Sequence, residues 1–199
     1  MRAMDAAPNP RPDGPATPRI APLPEADWDE RQRGVLEPLL VGRTTNIYTT
    51  LVRHPDAAEA MTTLGRTLRS DKLPVRHRET LILRTGWNCG SAYEFSQHRV
   101  VAAQAGMTDD DVRRITAGPD AEGWDKFEAV LCRAADEVHN PGMIGDATWA
   151  AMARQYDEQQ MIQATMLVGY YHLVCTVLRT LGVPLEPGSK GFAFDQTVS

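Results

Sequence analysis

The chain of 199 residues has few cysteines and few aromatic residues. Its three cysteines, Cys89, Cys132 and Cys175, are far apart and form no Cys-x-x-Cys pair. Their odd number and wide spacing argue against a disulfide scaffold or a cysteine zinc site, and they indicate a reducing, cytoplasmic location. The formal net charge is -5 and the basic residues are scattered, so we expect no nucleic-acid partner.

The sequence also lacks β-strand alternation and internal repeats. Apolar residues recur at helical spacing, which predicts an all-α single domain of roughly eight helices with short connections. The predicted helices are Glu25–Leu36, Asn46–Arg53 with Asn46 as its cap, Pro55–Leu68, one from Pro74, one carrying Glu94 and His98, Thr108–Ala117, Phe127–Val138, Ala147–Tyr156 and Asp157–Leu181. We expect a disordered leader at 1–18, the helical domain at 19–187 and a flexible tail at 188–199.

No signal peptide is evident, because the N-terminus lacks the required apolar core. One uncharged run, Met161–Leu178, is about long enough to span a bilayer. The other predicted helices are amphipathic and match a soluble bundle. We therefore interpret the run as a buried central helix and expect no membrane partner.

An acidic residue and a histidine stand one helical turn apart. Glu94 and His98 are separated by four positions, a spacing that places both side chains on one helix face. A carboxylate beside an imidazole can move protons near neutral pH. Glu79 lies one helix earlier and can point into the same cleft.

These residues sit within a wider pattern that resembles the carboxymuconolactone decarboxylase family of the alkylhydroperoxidase D-like group. The pattern consists of His77-Arg78-Glu79 followed by LILR, Tyr93-Glu94-Phe95 with His98, then Ala-Gly-Met-Thr, GYYHLV at Gly169–Val174 and LGVPLEP at Leu181–Pro187. The resemblance covers about Arg19–Pro187. It implies an alkylhydroperoxidase D-like helical bundle that forms homotrimers or homohexamers, with a dimer as a further option. It also implies a small pocket beside the helix that bears Glu94 and His98.

The redox branch of this group has a glutamate, eleven residues, a cysteine, two residues, a second cysteine, three residues and a histidine. Starting from Glu79, the two cysteine positions fall on Ser91 and Glu94, and the histidine falls on His98. A thiol peroxidase needs an attacking thiolate and a resolving thiol, so this departure argues against peroxidase activity. Cys89 lies two residues too early and is interpreted as a small buried hydrophobe.

The remaining chemistry is acid–base catalysis. The resemblance implies a lyase that acts on a small carboxylated or lactone-like compound, by decarboxylation or a related isomerisation, cyclisation or hydrolysis. It implies no metal, and we expect no cofactor. A metal site with Glu94 and His98 as ligands, and Glu79 or His172 as a third, is an alternative. His98 is the predicted general acid or base, Glu94 its partner or a second base, and Glu79 the end of a relay. We predict that Tyr93 and Arg84 contact substrate oxygens and that His172 faces the same pocket.

Each of these predictions has an alternative. Ser91 and Glu94 fit a helix capping box, in which Glu94 would only satisfy backbone donors. Arg84 can be a structural ion-pair partner, and His172 can be a core histidine. The protein can also be a thiol peroxidase, or an oligomeric binding protein that kept the fold without catalysis.

Overall fold

The computed structural model describes residues 14–37 and 45–194. The regular elements in these two ranges are all helices, so the all-α prediction is confirmed. A short 3-10 turn, Glu25–Asp27, precedes nine α-helices of the described chain: α1 Glu30–Leu36, α2 Asn46–Leu51, α3 Pro55–Leu68, α4 Val75–Cys89, α5 Ala92–Gln104, α6 Asp109–Ala117, α7 Lys126–His139, α8 Asp146–Met152 and α9 Glu158–Leu181. Most of the predicted leader and the last part of the predicted tail lie outside the described residues.

Helix ends were predicted best where the sequence contains capping residues. The Asp157 carboxylate accepts a hydrogen bond from the backbone N–H of Gln160 at 2.8 Å, and the Gln160 side chain accepts one from the Asp157 N–H at 3.1 Å. Thr108 and Asp111 form the same reciprocal box at the start of α6. Gly182 ends α9 with a left-handed φ of 70°, a conformation that favours glycine.

The structure corrects three of the predicted helix boundaries. The helix predicted from Glu25 begins only at Glu30, because Asp29 is extended and caps α1. Asn46 is the first residue of α2 and not its cap. Its side-chain amide donates instead to the carbonyl of Pro184 at 3.1 Å, which ties α2 to the segment after α9. The eighth helix ends at Met152, four residues before the predicted end.

The central helix of the bundle is α4, which packs against α5, α7 and α9. Its consecutive residues Leu81, Ile82 and Leu83 are all buried, as expected for a helix surrounded on most sides. By length and composition, α9 is apolar enough to cross a membrane. In this fold Leu167 and Val168 of α9 are buried in the main hydrophobic core together with residues of α4.

The segment after α9 folds back over α5. The ring of Phe192 lies 5.2 Å from that of Phe95 and 5.3 Å from that of Trp87, measured between centroids. The hydroxyl of Ser189 donates to that of Ser96 at 2.7 Å. The described part of the predicted flexible tail is therefore in contact with the helix that carries the candidate site residues.

Candidate functional site

A tight turn between α4 and α5 brings the two helices close together. Gly90 takes a left-handed φ of 67°, and Ser91 then caps α5 by accepting from the backbone N–H of Glu94 at 3.4 Å. A Cβ at Gly86 would stand 3.4 Å from the backbone nitrogen of Phe95, which shows how closely α5 approaches α4 here. Only half of the predicted capping box is present. The Ser91 side chain caps the helix, but the Glu94 carboxylate contacts His98 and does not reach back to the helix start.

His98 is held between two carboxylates from different helices. Its Nδ1 lies 2.6 Å from Oε2 of Glu79, and its Nε2 lies 3.0 Å from Oε1 of Glu94. Glu79 has no exposed surface, and its other oxygen accepts from Nε of Arg78 at 3.2 Å. The predicted grouping of Glu79, Glu94 and His98 is therefore present as one continuous hydrogen-bonded chain.

The two carboxylates set the protonation state of His98. Burial by itself lowers the pKa of His98, but the hydrogen bonds to Glu79 and then Glu94 outweigh it and raise that pKa to about 9. The ring is therefore an imidazolium at neutral pH, with an N–H directed at each carboxylate. This arrangement is a charged proton donor whose position is fixed on both sides.

Glu94 and His98 border a cavity of about 120 Å³. This volume is small beside the roughly 300–1,000 Å³ of common ligand pockets, so the cavity suits a compact molecule. Its walls are aromatic and apolar, with Ile47, Tyr170 and Tyr171 among them. Polar groups, among them Arg69, Glu94 and His98, line the rest of the cavity, and electrostatic interactions between them are stronger there than in bulk water.

The same cavity contains an arginine that the sequence did not single out. Arg69 follows the last turn of α3, and its Nη1 donates to the hydroxyl of Tyr171 at 3.2 Å. Within the described ranges no carboxylate forms an ion pair with Arg69. An arginine after a helix C-terminus is an ordinary feature of sequences, so nothing local marked it as a candidate. Its guanidinium can bind an anion in this cavity.

Tyr93 also borders the cavity, as predicted for a substrate contact. Its hydroxyl donates to Oε1 of Glu186 at 2.5 Å and accepts from the backbone N–H of Ile47 at 3.2 Å. Burial raises the pKa of Tyr93, and the bond to Glu186 raises it further. Because the hydroxyl already has two partners, Tyr93 fastens the segment after α9 to the cavity wall.

The prediction for Arg84 needs correction, because the structure does not bring it to the cavity. Its Nε and Nη2 donate to the Asp136 carboxylate at 2.6 and 3.0 Å. Its Nη1 donates to the carbonyls of Ile115 and Thr116, both at 2.9 Å. Arg84 therefore joins α4, α6 and α7, which is the structural ion-pair alternative.

His172 is likewise placed away from the cavity, beside a cysteine. Its Nδ1 lies 3.3 Å from Sγ of Cys89, and its ring stacks on that of His139 at a centroid distance of 5.1 Å. A hydrogen bond from Cys175 lowers the pKa of Cys89 to about 4, with His172 adding to the shift and burial opposing it. Cys89 is buried, as expected, but its sulfur also has the polar neighbours His172 and Cys175.

Solved structures with the same architecture support the fold. The debrominase Bmp8, as a cysteine-to-alanine variant in complex with 2,3,4-tribromopyrrole, shares 17% identity over 87% of this chain and 94% of that one, with a TM-score of 0.69. An uncharacterised peroxidase-related protein from Ralstonia eutropha JMP134, an alkylhydroperoxidase AhpD core, shares 18% identity over 86% and 94%, with a TM-score of 0.61. A protein of unknown function from Agrobacterium tumefaciens shares 14% sequence identity over 68% of this chain and 94% of that one, with a TM-score of 0.63.

The sequence itself matches a family model over the central helices. No curated protein gives a significant sequence match. Residues 55–137, from the start of α3 nearly to the end of α7, match the model of the carboxymuconolactone decarboxylase family. This segment includes Glu79, Glu94 and His98, and the resemblance stated from their spacing is confirmed. Over this central segment the chain is therefore similar to the carboxymuconolactone decarboxylase family.

Proposed function

We propose that this protein is an acid–base enzyme, a lyase of the decarboxylase type that acts without a cofactor on a small carboxylated or lactone-like compound. The observation that carries the proposal is the position of His98, clamped between Glu79 and Glu94 at the wall of a cavity that also contains Arg69. A charged donor and an anion-binding cation in one small cavity are the two groups that such a reaction needs.

Arg69 gives the cavity its preference for anions. It has no carboxylate partner within the described ranges, whereas Glu79 and Glu94 are both engaged with His98. A carboxylate of the substrate can therefore pair with Arg69 without displacing another acid. The aromatic walls formed by Tyr170 and Tyr171 suit a flat, conjugated ring.

The proton relay accounts for the bond changes of a decarboxylation. The bond between the departing carboxylate carbon and the rest of the substrate breaks, and its electron pair passes into a conjugated enolate. His98 gives its Nε2 proton to Glu94, and Glu94 passes a proton to the enolate carbon. Carbon dioxide leaves, and His98 recovers one proton from solvent. An isomerisation would use the same relay in both directions.

Known relatives are compatible with small ring substrates. The family takes its name from the decarboxylation of a carboxylated lactone, and Bmp8 is a debrominase bound to a small brominated pyrrole. Both names describe those proteins, and they support our proposal that this cavity binds a small ring compound.

Turnover of carboxymuconolactone, followed by loss of the lactone absorbance and release of carbon dioxide, provides the test. We expect His98→Gln to lower kcat by about 10²–10⁴-fold, the usual contribution of a positioned acid or base. His54→Gln is the matched control, because His54 is exposed at the start of α3 and caps only Ala57. Unchanged kcat in His98→Gln would contradict the proposal. Binding without turnover would instead favour a non-catalytic binding protein.

A thiol-based reaction is the second candidate, and the low pKa of Cys89 next to Cys175 favours it. The Cys89 thiolate would attack one oxygen of a peroxide, which breaks the O–O bond, gives a sulfenic acid and releases the other oxygen as an alcohol or water. Cys175 would then condense with the sulfenic acid to give a disulfide and water. An external thiol would then reduce the disulfide. Peroxide consumption that is lost in Cys89→Ser and kept in Cys132→Ser would support this activity in place of acid–base catalysis.

A further inference from the structure

Three side chains that can bind metals converge on the side of α9 that does not face the cavity. Cys89 is the last residue of α4, His139 is the last residue of α7, and His172 lies in the middle of α9. One sulfur or nitrogen atom from each lies within 4.8 Å of the other two. One of these distances, between Sγ of Cys89 and Nδ1 of His172, is 3.3 Å.

We propose that Cys89, His139 and His172 form a zinc site with three protein ligands and one open position. In tetrahedral zinc sites, sulfur lies at about 2.3 Å and imidazole nitrogen at about 2.0–2.1 Å from the metal, which puts neighbouring ligand atoms roughly 3.3–3.7 Å apart. The distance between Cys89 and His172 already lies in this interval. The other distances are at most 4.8 Å, so metal binding would draw the ligand atoms closer together.

The donor set decides which class of metal the site would bind. One thiolate and two imidazoles are ligands for zinc and similar transition metals, whereas Mg²⁺ and Ca²⁺ prefer oxygen ligands, and the cluster contains none. The side chain of Cys89 is buried, while His139 and His172 are half-buried. A metal ion therefore has access from the histidine side, and a water molecule can fill the fourth position.

The packing around the cluster supports a site rather than a chance contact. A single hydrogen bond would account for Cys89 with His172, but it would not explain why the ring of His139 stacks against His172 as well. Cys175 also lies close enough to Cys89 to influence its thiol through a hydrogen bond. Hydrogen bonds to a ligand atom are the usual means by which metal sites are oriented and tuned.

The proposed zinc site is separate from the acid–base cavity. Tyr171 borders the cavity, whereas the next residue, His172, points to the cluster. None of the three ligands borders the cavity. The sequence did not indicate the site because its ligands come from three helices and form no local metal-binding motif.

Metal binding by the whole protein tests the proposal directly. We expect the metal-free protein to bind one equivalent of Zn²⁺ per chain. This binding can be measured in competition with a chromophoric chelator. With Co²⁺ as the probe, we expect a thiolate-to-cobalt charge-transfer band and the intense visible bands of a tetrahedral site. Cys89→Ser and His139→Ala should each weaken Zn²⁺ binding by more than about tenfold, since even residues that only orient ligands contribute about 10–100-fold.

Cys132→Ser is the matched control, because Cys132 is also buried but contacts the carbonyl of Ile115 on α6. It should leave the affinity and the cobalt spectrum unchanged. The wild-type cobalt spectrum requires no variant, so misfolding of Cys89→Ser would not obscure the result. A spectrum without the thiolate band, or Zn²⁺ affinity unchanged in Cys89→Ser, would overturn the proposal. Because these measurements do not involve turnover, they are independent of the test on His98.

Discussion

Nδ1 of His98 lies 2.6 Å from Oε2 of Glu79, although the two residues are on different helices and Glu79 has no exposed surface. A buried carboxylate is costly unless its partners compensate for the lost hydration. Here Arg78 and His98 each take one of its oxygens. The pair therefore fixes both the orientation of the imidazole and its charge, and Glu94 completes the path to the cavity.

Replacing Glu79 should change the titration of His98. We expect NMR to give a pKa of about 9 for His98 in the wild type, and a lower value in Glu79→Gln, because the amide cannot stabilise the imidazolium by charge. Glu59→Gln is the control, since Glu59 is exposed and pairs with Arg31 on the far side of α3. An equal pKa in Glu79→Gln and the wild type would contradict this account.

The same interaction should make stability depend on pH in a defined window. The pKa of His98 is raised in the folded state, so its contribution to the free energy of unfolding is full below the ordinary histidine value of 6.5. The contribution is lost as the pH rises through about 9. Urea denaturation between these pH values should show a decline in the wild type that is weaker in His98→Gln.

Arg69 should control anion affinity. In Arg69→Gln we expect the Kd of carboxymuconolactone to rise by about ten- to a hundredfold, because a hydrogen bond to a charged group contributes about 1.5–3 kcal/mol. Calorimetry can measure this change. Arg66→Gln is the matched control, since Arg66 is exposed on the same helix and does not border the cavity. Similar losses in both variants would show that general charge, and not the cavity, attracts the ligand.

The sequence predicted those parts of the site that depend on local spacing. Glu94 and His98 share a helix face, and their separation in sequence from Glu79 follows the family pattern. The sequence therefore indicated all three residues. Arg69 was missed and Arg84 misplaced because their partners are distant in sequence. Whether an arginine faces a cavity or an acid depends on how α3, α4 and α7 pack, and helical periodicity does not specify that packing.

The helices were predicted on the same basis. The ends of α6 and α9 could be predicted from a capping box at the start of each helix and a glycine after its end, because those signals consist of a few neighbouring residues. The prediction failed at Asn46, whose side chain bonds to Pro184 instead of to its own helix. The contacts of Cys89 were not predicted either, because only the fold brings His172 and Cys175 to its sulfur.

Gly65 should be required for the shape of the cavity. A Cβ at this position would stand 2.4 Å from the hydroxyl oxygen of Tyr170, a buried ring at the cavity wall. We expect Gly65→Ala to destabilise the protein by about 1–3 kcal/mol and to lower kcat/KM, because Tyr170 must move. Thermal unfolding and the lactone assay can measure these changes.

Gly34→Ala provides the opposite control for that substitution. Gly34 lies within α1, and a Cβ there would meet no described atom within 4 Å. Alanine should stabilise that helix by about 0.5–1 kcal/mol without changing kcat/KM. If Gly65→Ala behaved like Gly34→Ala, the close approach of Tyr170 would not constrain the site.

The outer face of α9 is where we propose that copies of the chain associate, as the family resemblance implies. Ile162, Met166 and Leu173 are exposed by 59%, 46% and 50% and lie along one side of the helix. Contiguous exposed apolar residues on a helix commonly mark an interface. Met166→Glu should lower the mass measured by size-exclusion chromatography with light scattering. Val100→Glu should not, because Val100, exposed by 53%, lies on α5. A wild-type monomer at micromolar concentration would contradict the association.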